Sequence, residues 1–433
     1  MRLFKAGQLN DVQRVALCVR PWTREKPLTD AVGTICRDVK ERGDEALREY
    51  SRRFDAAPVG SFPVSSDEID AARARVSPEL LAAIDHAAQN IRTFHAAQLR
   101  VENPVETESG VRCWREMRPI ETVGLYIPAG SAPLPSTVLM LGIPAQLAGC
   151  KRIVLCSPPR SEGEVDAAVL AAASIIGVHE IYRAGGAQAI AAMAYGTESI
   201  PKVDKIFGPG SQYVTEAKRL VSSDPGGAAI DLLAGPSELL IIADRTAEPG
   251  IIAADLLSQA EHDTQSQVVL LTTDETFAKN ILTETGIQVQ RLSRKEIVLQ
   301  ALENSFALVV ESLDEAVTFS NQYAPEHLII NTRNPENLIA GIQHAGSVFL
   351  GSFAPVTAGD YASGTNHTLP TGGTARWMNG VSVESFQKSL TFQTLTPEGL
   401  ERLTPTLVTL AEAEGLGAHA SAVLARQTRT PAA

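Results

Sequence analysis

The sequence predicts an α/β protein with two successive Rossmann-like parallel-sheet units, a helical N-terminal layer and an extended helical C-terminal tail. Two observations lead to this prediction. From Glu121 onward, short runs rich in β-branched residues alternate with segments of helical length, and the alternation restarts at Glu238. Alternation of this kind predicts parallel strands joined by crossover helices. The segments before and after it have helical patterns instead.

Bulk composition restricts the class of protein. At 433 residues the chain is long for one hydrophobic core, so at least two domains are expected. The net charge of −12 argues against a nucleic-acid or anionic-membrane partner, because such surfaces are bound through Lys and Arg. Without a signal-peptide core or an apolar run of membrane-spanning length, the expected location is the cytoplasm. The five cysteines lack Cys-x-x-Cys spacing and are predicted to be reduced thiols.

Two segments are predicted in the first half of the chain. Residues 1–110 form the helical N-terminal layer, with helices over 30–54, which is charged and amphipathic, and 78–100, which is rich in Ala. Residues 111–235 form the first Rossmann-like domain. Its predicted elements are a strand at 122–127, a helix at 136–150, a strand at 152–156, a helix at 165–176, and strands at 180–183 and 203–207.

Two more segments complete the chain. Residues 236–375 form the second Rossmann-like domain, and residues 376–433 form a tail too small to have its own core, which we expect to reach a partner subunit. Gly415 and Gly417 interrupt the tail and place Glu414 and His419 on either side of a helix–turn–helix corner. The second domain's predicted elements are strands at 238–243, 267–271, 307–310, 328–331 and 347–350, a helix at 251–261, and a helix capped by the Ser312/Glu315 box.

Side chains that can bind a divalent cation occur at Gln259 and His262, at Asp360, and at His419. Residues three apart share a helix face, so Gln259 and His262 can point at one ligand. We expect this helix and the Asp360 loop at the carboxyl ends of parallel strands, where ligands collect. An imidazole, a carboxylate and an amide oxygen suit zinc or another borderline cation. Solvated helix-end side chains and an Asx turn at Asp360 are the alternative interpretation, and His367 is a rival ligand.

Glu326 and His327 are adjacent titratable residues that follow Pro325. Their intrinsic pKa values allow His327 to take a proton near neutral pH and Glu326 to activate water. On an extended segment they would face opposite sides, so both can serve one substrate only if the chain turns there. A surface Glu beside a His at the edge of the core is the alternative.

Glycine-rich turns recur at 129–131, 185–188 and 208–211, but none completes the Gly-x-Gly-x-x-Gly dinucleotide fingerprint. The turn at Gly210-Ser211 is predicted to open a helix, whose free N–H groups favour an anion. Structural turns remain the alternative for each of them.

With these residues laid out, the chain closely resembles the histidinol dehydrogenase family over most of its length. Long motifs in the same order carry the resemblance, at 123–134, 185–192, 234–238, 255–262, 325–328 and 358–367. The resemblance implies a zinc- and NAD-dependent homodimer that oxidises L-histidinol to L-histidine through a bound aldehyde, the last step of histidine biosynthesis.

The resemblance also implies a role for each site residue. Zinc is bound by Gln259, His262, Asp360 and, from the neighbouring subunit, His419. Substrate is contacted by these four and by Ser237, His327 and Glu414, while His327 is the base and Glu326 activates water. NAD is contacted by Tyr126, Gln188 and Ser211. Position 211 is Ser where the resemblance leads us to expect Asn, and a hydroxyl is shorter and lacks the two donors of an amide.

Three other functions stay open at this stage. A related zinc and NAD dehydrogenase could act on another alcohol. A zinc hydrolase would use Glu326 to activate water without any dinucleotide. A silent metal-binding scaffold is disfavoured, because both acid/base candidates are present.

Overall fold

The structure is a computed structural model that describes residues 1–20, 26–55, 59–129 and 133–427. The chain divides into two compact units. The first comprises Met1–Gln98 and Ile120–Phe386, and the second comprises Leu99–Pro119 and Gln387–Ala433. The division into four segments stays a prediction. Of the expected glycine-rich turns, Gly130 and Ser131 lie outside the described residues.

Sixteen helices and fourteen strands are numbered in chain order in the described parts of the chain. The helices are α1 Asp11–Leu17, α2 Lys26–Arg42, α3 Asp44–Tyr50, α4 Ser66–Arg75, α5 Pro78–Ala96, α6 Pro135–Ala148, α7 Ala167–Ile176, α8 Gly186–Tyr195, α9 Gln212–Ser223, α10 Pro249–Ala260, α11 Glu275–Gln288, α12 Lys295–Glu303, α13 Leu313–Tyr323, α14 Val356–Tyr361, α15 Pro397–Ala413 and α16 Gly417–Gln427. The strands are β1 Arg2–Lys5, β2 Val105–Glu108, β3 Val111–Pro119, β4 Thr122–Tyr126, β5 Arg152–Ser157, β6 Ile181–Arg183, β7 Lys205–Phe207, β8 Ala229–Ile230, β9 Glu238–Ala243, β10 Gln267–Thr272, β11 Phe306–Val309, β12 His327–Asn331, β13 Ser347–Leu350 and β14 Gln387–Leu395.

Two parallel sheets form the framework of the first unit. The five-stranded sheet has the order β6-β5-β4-β7-β8, and the six-stranded sheet has the order β1-β11-β10-β9-β12-β13. All neighbouring strands in both sheets are parallel. Because crossover helices cover such strands, β9 and β10 are buried along their whole length. The predicted α/β class with two parallel sheets is therefore confirmed.

The second unit contains an antiparallel sheet that the sequence analysis did not predict. Its order is β14-β3-β2, and β14 pairs with β3 from Gln387 opposite Pro119 to Leu395 opposite Val111. Trp114 and Phe392 stack across this pair, with ring centroids 5.5 Å apart. The helices α15 and α16 form the predicted corner. The tail is therefore part of a mixed unit and is not purely helical.

The N-terminal layer also differs from the prediction. Its first element is the strand β1, which pairs with β11 and extends the six-stranded sheet. The helix expected over 30–54 is divided at Gly43, whose φ of +54° an α-helix cannot accommodate. The predicted box at Ser312 is half formed. Ser312 accepts a hydrogen bond from the Glu315 amide, while the Glu315 carboxylate accepts one from the Glu311 amide instead of that of Ser312.

Two further findings concern the membrane and the thiols. Among the described residues, no helix is long and apolar enough to cross a bilayer. All five cysteines are free thiols, as predicted, and burial raises the pKa of Cys36 to about 12. A thiol with so high a pKa is a poor nucleophile, which agrees with packing as the role of this cysteine.

Candidate functional site

A sharp turn between α13 and β12 presents Glu326 and His327. Ala324 ends α13 with φ of +52°, and it is the only non-glycine residue with positive φ in the described ranges. Pro325 follows, Glu326 precedes the sheet, and His327 is the first residue of β12. The two side chains are 6% and 4% exposed. The predicted condition of a turn is met at Ala324, and both side chains lie together in a buried environment.

The ring nitrogens of His327 have different partners. Nδ1 donates to the carbonyl oxygen of Glu238 at 3.2 Å and lies 3.5 Å from Oε2 of Glu326. Nε2 lies 3.5 Å from Oδ1 of Asp360, too far for a strong hydrogen bond, and has no closer partner. A neutral ring that donates through Nδ1 has its lone pair on Nε2. Nε2 is therefore the atom that can accept a proton.

Charges around this pair shift its titration. Burial lowers the pKa of His327, but the carboxylates of Glu326 and Asp360 outweigh burial and raise that pKa to about 10. Burial raises the pKa of Glu326. Burial also tends to raise the pKa of Asp360, but the His327 ring beside it keeps the pKa of this carboxyl below its ordinary value. A positive charge near Asp360 would therefore make His327 release its proton more readily.

Glu238, the first residue of β9, holds both members of the pair through its backbone. Its amide donates to Oε2 of Glu326 at 2.8 Å, and its carbonyl accepts from His327. Its carboxylate receives two hydrogen bonds of 2.8 Å from Arg20 and one of 2.9 Å from the Gly372 amide. The Arg20 guanidinium lies 3.6 Å from the centroid of the Tyr323 ring. A paired, fully bonded charge thus fixes the backbone that orients Glu326 and His327.

Arg20 and Glu238 were missed by the sequence analysis. The available signal was a carboxylate at the head of a strand that is otherwise entirely apolar, since a charge in such a position needs a buried partner.

The predicted cation ligands of the first unit lie at the end of α10 and on α14. Gln259 is 1% exposed, and its Oε1 is buried without a hydrogen-bond partner. His262 lies two residues beyond the end of α10 and is exposed, so it does not share a helix face with Gln259 as predicted. Both His262 and His327 influence the carboxyl of Asp360 electrostatically.

The side chains of Gln259, His262 and Asp360 are of types that can bind a cation. The described residues contain no cluster of three or more His, Cys, Asp or Glu side chains arranged to bind a metal. Of the four predicted ligands, only His262 and Asp360 are of these types and lie in the first unit, since Gln259 is an amide and His419 belongs to the second unit. The orphaned Gln259 oxygen is an acceptor that a cation would satisfy, because a buried polar atom without a partner costs free energy.

His367 is unavailable as the rival ligand in this arrangement. Its Nδ1 donates to the carbonyl of Asp360 at 2.9 Å, and its Nε2 accepts from the Thr137 hydroxyl at 3.1 Å. Asn366 next to it donates to the carbonyl of Met140. Because Thr137 and Met140 belong to α6, these bonds attach the Asp360 segment to the first turns of the helix that follows β4. The segment that follows the six-stranded sheet is therefore bonded to a helix of the five-stranded sheet.

The expected position at the carboxyl ends of the strands is wrong for the six-stranded sheet. Glu238 and His327 begin their strands, and Gln259 lies where α10 ends, shortly before β10 begins. A crossover helix runs antiparallel to its strands, so its last turn returns to their amino ends. Glu238, His327 and Gln259 therefore lie at the amino edge of the six-stranded sheet.

The residues predicted to contact NAD lie at the carboxyl edge of the five-stranded sheet. Tyr126 ends β4, Gln188 is in the first turn of α8, and Ser211 precedes α9 and is exposed. The Tyr126 hydroxyl accepts from the Gly186 amide at 3.0 Å. Burial raises the pKa of Tyr126 to about 12. The side-chain nitrogen of Gln188 is buried without a partner. This edge follows the usual rule for ligand sites in open α/β sheets.

The three other predicted substrate or metal contacts lie in different places. Ser237 is half-buried directly before β9, and its carbonyl accepts from the Gln267 amide at 3.2 Å. Glu414 is the exposed C-cap residue of α15, and His419 is exposed in the first turn of α16. Glu414 and His419 thus belong to the second unit, while all other predicted site residues belong to the first.

Comparison with known proteins gives consistent matches. The family model described as histidinol dehydrogenase matches residues 19–427. Histidinol dehydrogenase of Photobacterium profundum is 52% identical over 96% of this chain and 94% of its own length. That of Pectobacterium atrosepticum is 54% identical over 92% and 89%. The crystal structure of histidinol dehydrogenase from Elizabethkingia anophelis matches with a TM-score of 0.95 and 52% identity, covering 98% of both chains. The chain therefore belongs to the histidinol dehydrogenase family.

Proposed function

We propose that this enzyme oxidises L-histidinol to L-histidine in two NAD-dependent steps through a bound aldehyde. Family membership supports the reaction class. A relative named as a putative histidine biosynthesis bifunctional protein, from Photorhabdus laumondii, is 52% identical over 98% of this chain and 52% of its own length. One observation carries the proposal. The free Nε2 of His327 lies beside Asp360, and the segment that contains Asp360 is bonded to α6, the helix that follows Tyr126.

The chain's own residues divide the proton chemistry. His327 takes the hydroxyl proton of the alcohol at Nε2, since Nδ1 is engaged with the Glu238 carbonyl. Glu326, whose pKa burial raises, takes a proton from the water that adds to the aldehyde. The Arg20–Glu238 pair positions both groups through the backbone of β9. Burial of the site limits access of bulk water to the aldehyde.

Two cofactors complete the proposal. Gln259, His262 and Asp360, together with His419 of a neighbouring subunit, would hold one Zn²⁺, which orients the substrate and stabilises charge. Tyr126, Gln188 and Ser211 would contact NAD, which supplies the hydride acceptor. The orphaned oxygen of Gln259 and the orphaned nitrogen of Gln188 support these assignments, because a buried polar atom without a partner is expected to have one in the working enzyme.

The assembly and location belong to the same proposal. We infer a homodimer in which the tail residues Glu414 and His419 complete the site of the partner. The net charge of −12 and the small-molecule substrate fit a cytoplasmic enzyme without a nucleic-acid partner.

The test measures NADH absorbance with L-histidinol and NAD. We expect two NADH per histidinol consumed. The variant His327→Asn should lose about a hundredfold or more of the rate, because a positioned general base contributes roughly that factor. Its zinc content should be unchanged. His179→Asn, at an exposed position, is the matched control and should retain full activity.

Other outcomes would replace the proposal. NADH formation with another alcohol, but not with histidinol, would assign a different substrate. Hydrolytic activity without NAD would assign a hydrolase. Full activity of His327→Asn would remove His327 as the base.

A further inference from the structure

Two buried polar atoms without hydrogen-bond partners lie near the N-terminal end of α8, one a donor and one an acceptor. Gln188 is 1% exposed, and its Nε2 has no hydrogen-bond partner. Oδ2 of Asp55 is also buried without a partner. The other oxygen, Oδ1, lies 3.3 Å from the position that a Cβ at Gly185 would take, so the carboxylate rests against the backbone at the N-cap of α8. Both groups therefore border the same helix end.

The chemistry of these two groups selects the ligand. A helix N-terminus alone favours an anion such as phosphate, but the carboxylate of Asp55 would repel one. A carboxylate accepts hydrogen bonds and an amide nitrogen donates them. Neighbouring hydroxyls satisfy both, because each donates through its hydrogen and accepts through its oxygen. Carboxylates bind ribose hydroxyls in this way in other dinucleotide-binding folds.

The position of Asp55 in the sheet indicates which ribose it meets. Asp55 lies beside Gly185, which in turn packs on Pro158. Gly185 follows β6 and Pro158 follows β5. That is the side of the five-stranded sheet away from β8, whose chain continues into β9 and the His327 site. The nicotinamide has to reach His327, so the opposite end of an extended dinucleotide lies towards Asp55.

We propose that Asp55 accepts hydrogen bonds from the adenosine ribose of NAD and makes the enzyme select NAD against its 2′-phosphorylated form. This inference rests on the proposed NAD-dependent function. A 2′-phosphate would remove the hydroxyl that donates to Asp55 and place a second negative charge beside it. Burial raises the pKa of Asp55 to about 6 despite the opposing effect of the Ser51 hydroxyl, which agrees with a carboxylate whose Oδ2 lacks a donor.

The experiment combines direct binding with kinetics. NAD and NADP are titrated calorimetrically into wild-type enzyme and into Asp55→Asn, Asp55→Glu and Asp67→Asn. Steady-state rates with histidinol are measured in parallel. Asp67 is an exposed carboxylate on α4 and is the matched control. Thermal unfolding of each variant shows whether it is folded.

We expect Asp55→Asn to bind NAD about tenfold more weakly, since a hydrogen bond to a charged group is lost. Its preference for NAD over NADP should fall by at least the same factor. Asp55→Glu should retain discrimination against NADP, and Asp67→Asn should match wild type. Unchanged NAD affinity and unchanged preference in a folded Asp55→Asn would overturn the inference. If wild type binds no NAD, the proposed function itself fails, and the two results are distinguishable.

Discussion

His327 shows how a single backbone contact decides chemistry at the scale of a residue. Its Nδ1 is engaged by the carbonyl of Glu238, so Nε2 is the ring nitrogen left to accept a proton in the proposed reaction. Asp55 shows the opposite situation, because its carboxylate has a buried oxygen with no donor. Such a group costs stability in the free protein and is useful when a ligand satisfies it.

This cost makes the stability effect of Asp55 depend on pH. Burial raises its native pKa from 3.8 to about 6, so the native state binds more protons than the unfolded state between these values. The contribution of Asp55 to the free energy of unfolding is therefore fully present below about pH 4 and is lost as the pH rises through about 6. Without NAD, Asp55→Asn should unfold at a higher temperature than wild type near pH 7, and the difference should vanish near pH 4.

Circular dichroism melting curves across this pH range measure the effect, with Asp67→Asn as the control. A difference between Asp55→Asn and wild type that is the same at every pH would show that the titration of Asp55 does not contribute.

The sequence predicted the residue types of the site better than their contacts. Glu326 and His327 are visible as adjacent titratable side chains, yet the Glu238 backbone that holds them is far away in the chain. The shared helix face expected for Gln259 and His262 was wrong because α10 ends at Ala260. Helix ends are set by local capping, which a three-residue spacing does not specify.

At the scale of elements, the turn between α13 and β12 has a strained backbone. Ala324 adopts a left-handed conformation that costs a non-glycine residue about 1–2 kcal/mol. The next residues are Pro325, Glu326 and His327, so the strain lies directly before the proposed acid/base pair. Strained backbone of this kind persists where the surrounding structure imposes it.

Substitutions at Ala324 should separate strain from side-chain contact. Ala324→Val should lose about 1–2 kcal/mol of unfolding free energy, because a β-branched residue is disfavoured at positive φ. Its kcat should fall with it. Ala324→Gly is the matched control and should be at least as stable as wild type, since glycine accepts this conformation. Urea unfolding and steady-state kinetics measure both. A Val variant as stable and as active as wild type would contradict the assignment of strain.

Strand prediction succeeded where burial was complete and failed where it was not. The bounds of β9 were predicted correctly, because all its positions are buried and most are β-branched or Leu. By contrast β14 is mostly exposed and β1 is a short edge strand, so neither has the alternating apolar pattern of a half-buried strand.

At the scale of the whole molecule, the two sheets contribute opposite edges to the proposed site. The chain passes from Ile230 at the end of β8 to Glu238 at the start of β9, so it leaves one sheet at its carboxyl edge and enters the next at its amino edge. This placement depends on strand order and could not be predicted from local patterns. The residues proposed to contact NAD lie at a carboxyl edge, whereas the proposed acid/base pair lies at an amino edge.

Complementation between variants tests the inferred exchange of tails. His327→Asn and His419→Asn should each be nearly inactive as homodimers. If His419 serves the partner's site, mixed dimers contain one intact site of two, and statistical mixing should restore about a quarter of wild-type activity. Mixing His327→Asn with Glu326→Gln is the control and should restore none, because both changes affect the same chain's contribution to each site. No recovery in the first mixture would place His419 in its own subunit's site or outside the site.

The separation of the two edges has a consequence for turnover. Four-electron oxidation requires a spent dinucleotide to depart and a fresh one to arrive while a reactive aldehyde waits. Tyr126 ends a strand of the five-stranded sheet, Gln188 lies in the helix that follows β6 of that sheet, and His327 begins a strand of the six-stranded sheet. If NAD and substrate bind as proposed, we expect the dinucleotide to exchange at the first sheet while the contacts at the second sheet retain the half-oxidised molecule between the two hydride transfers.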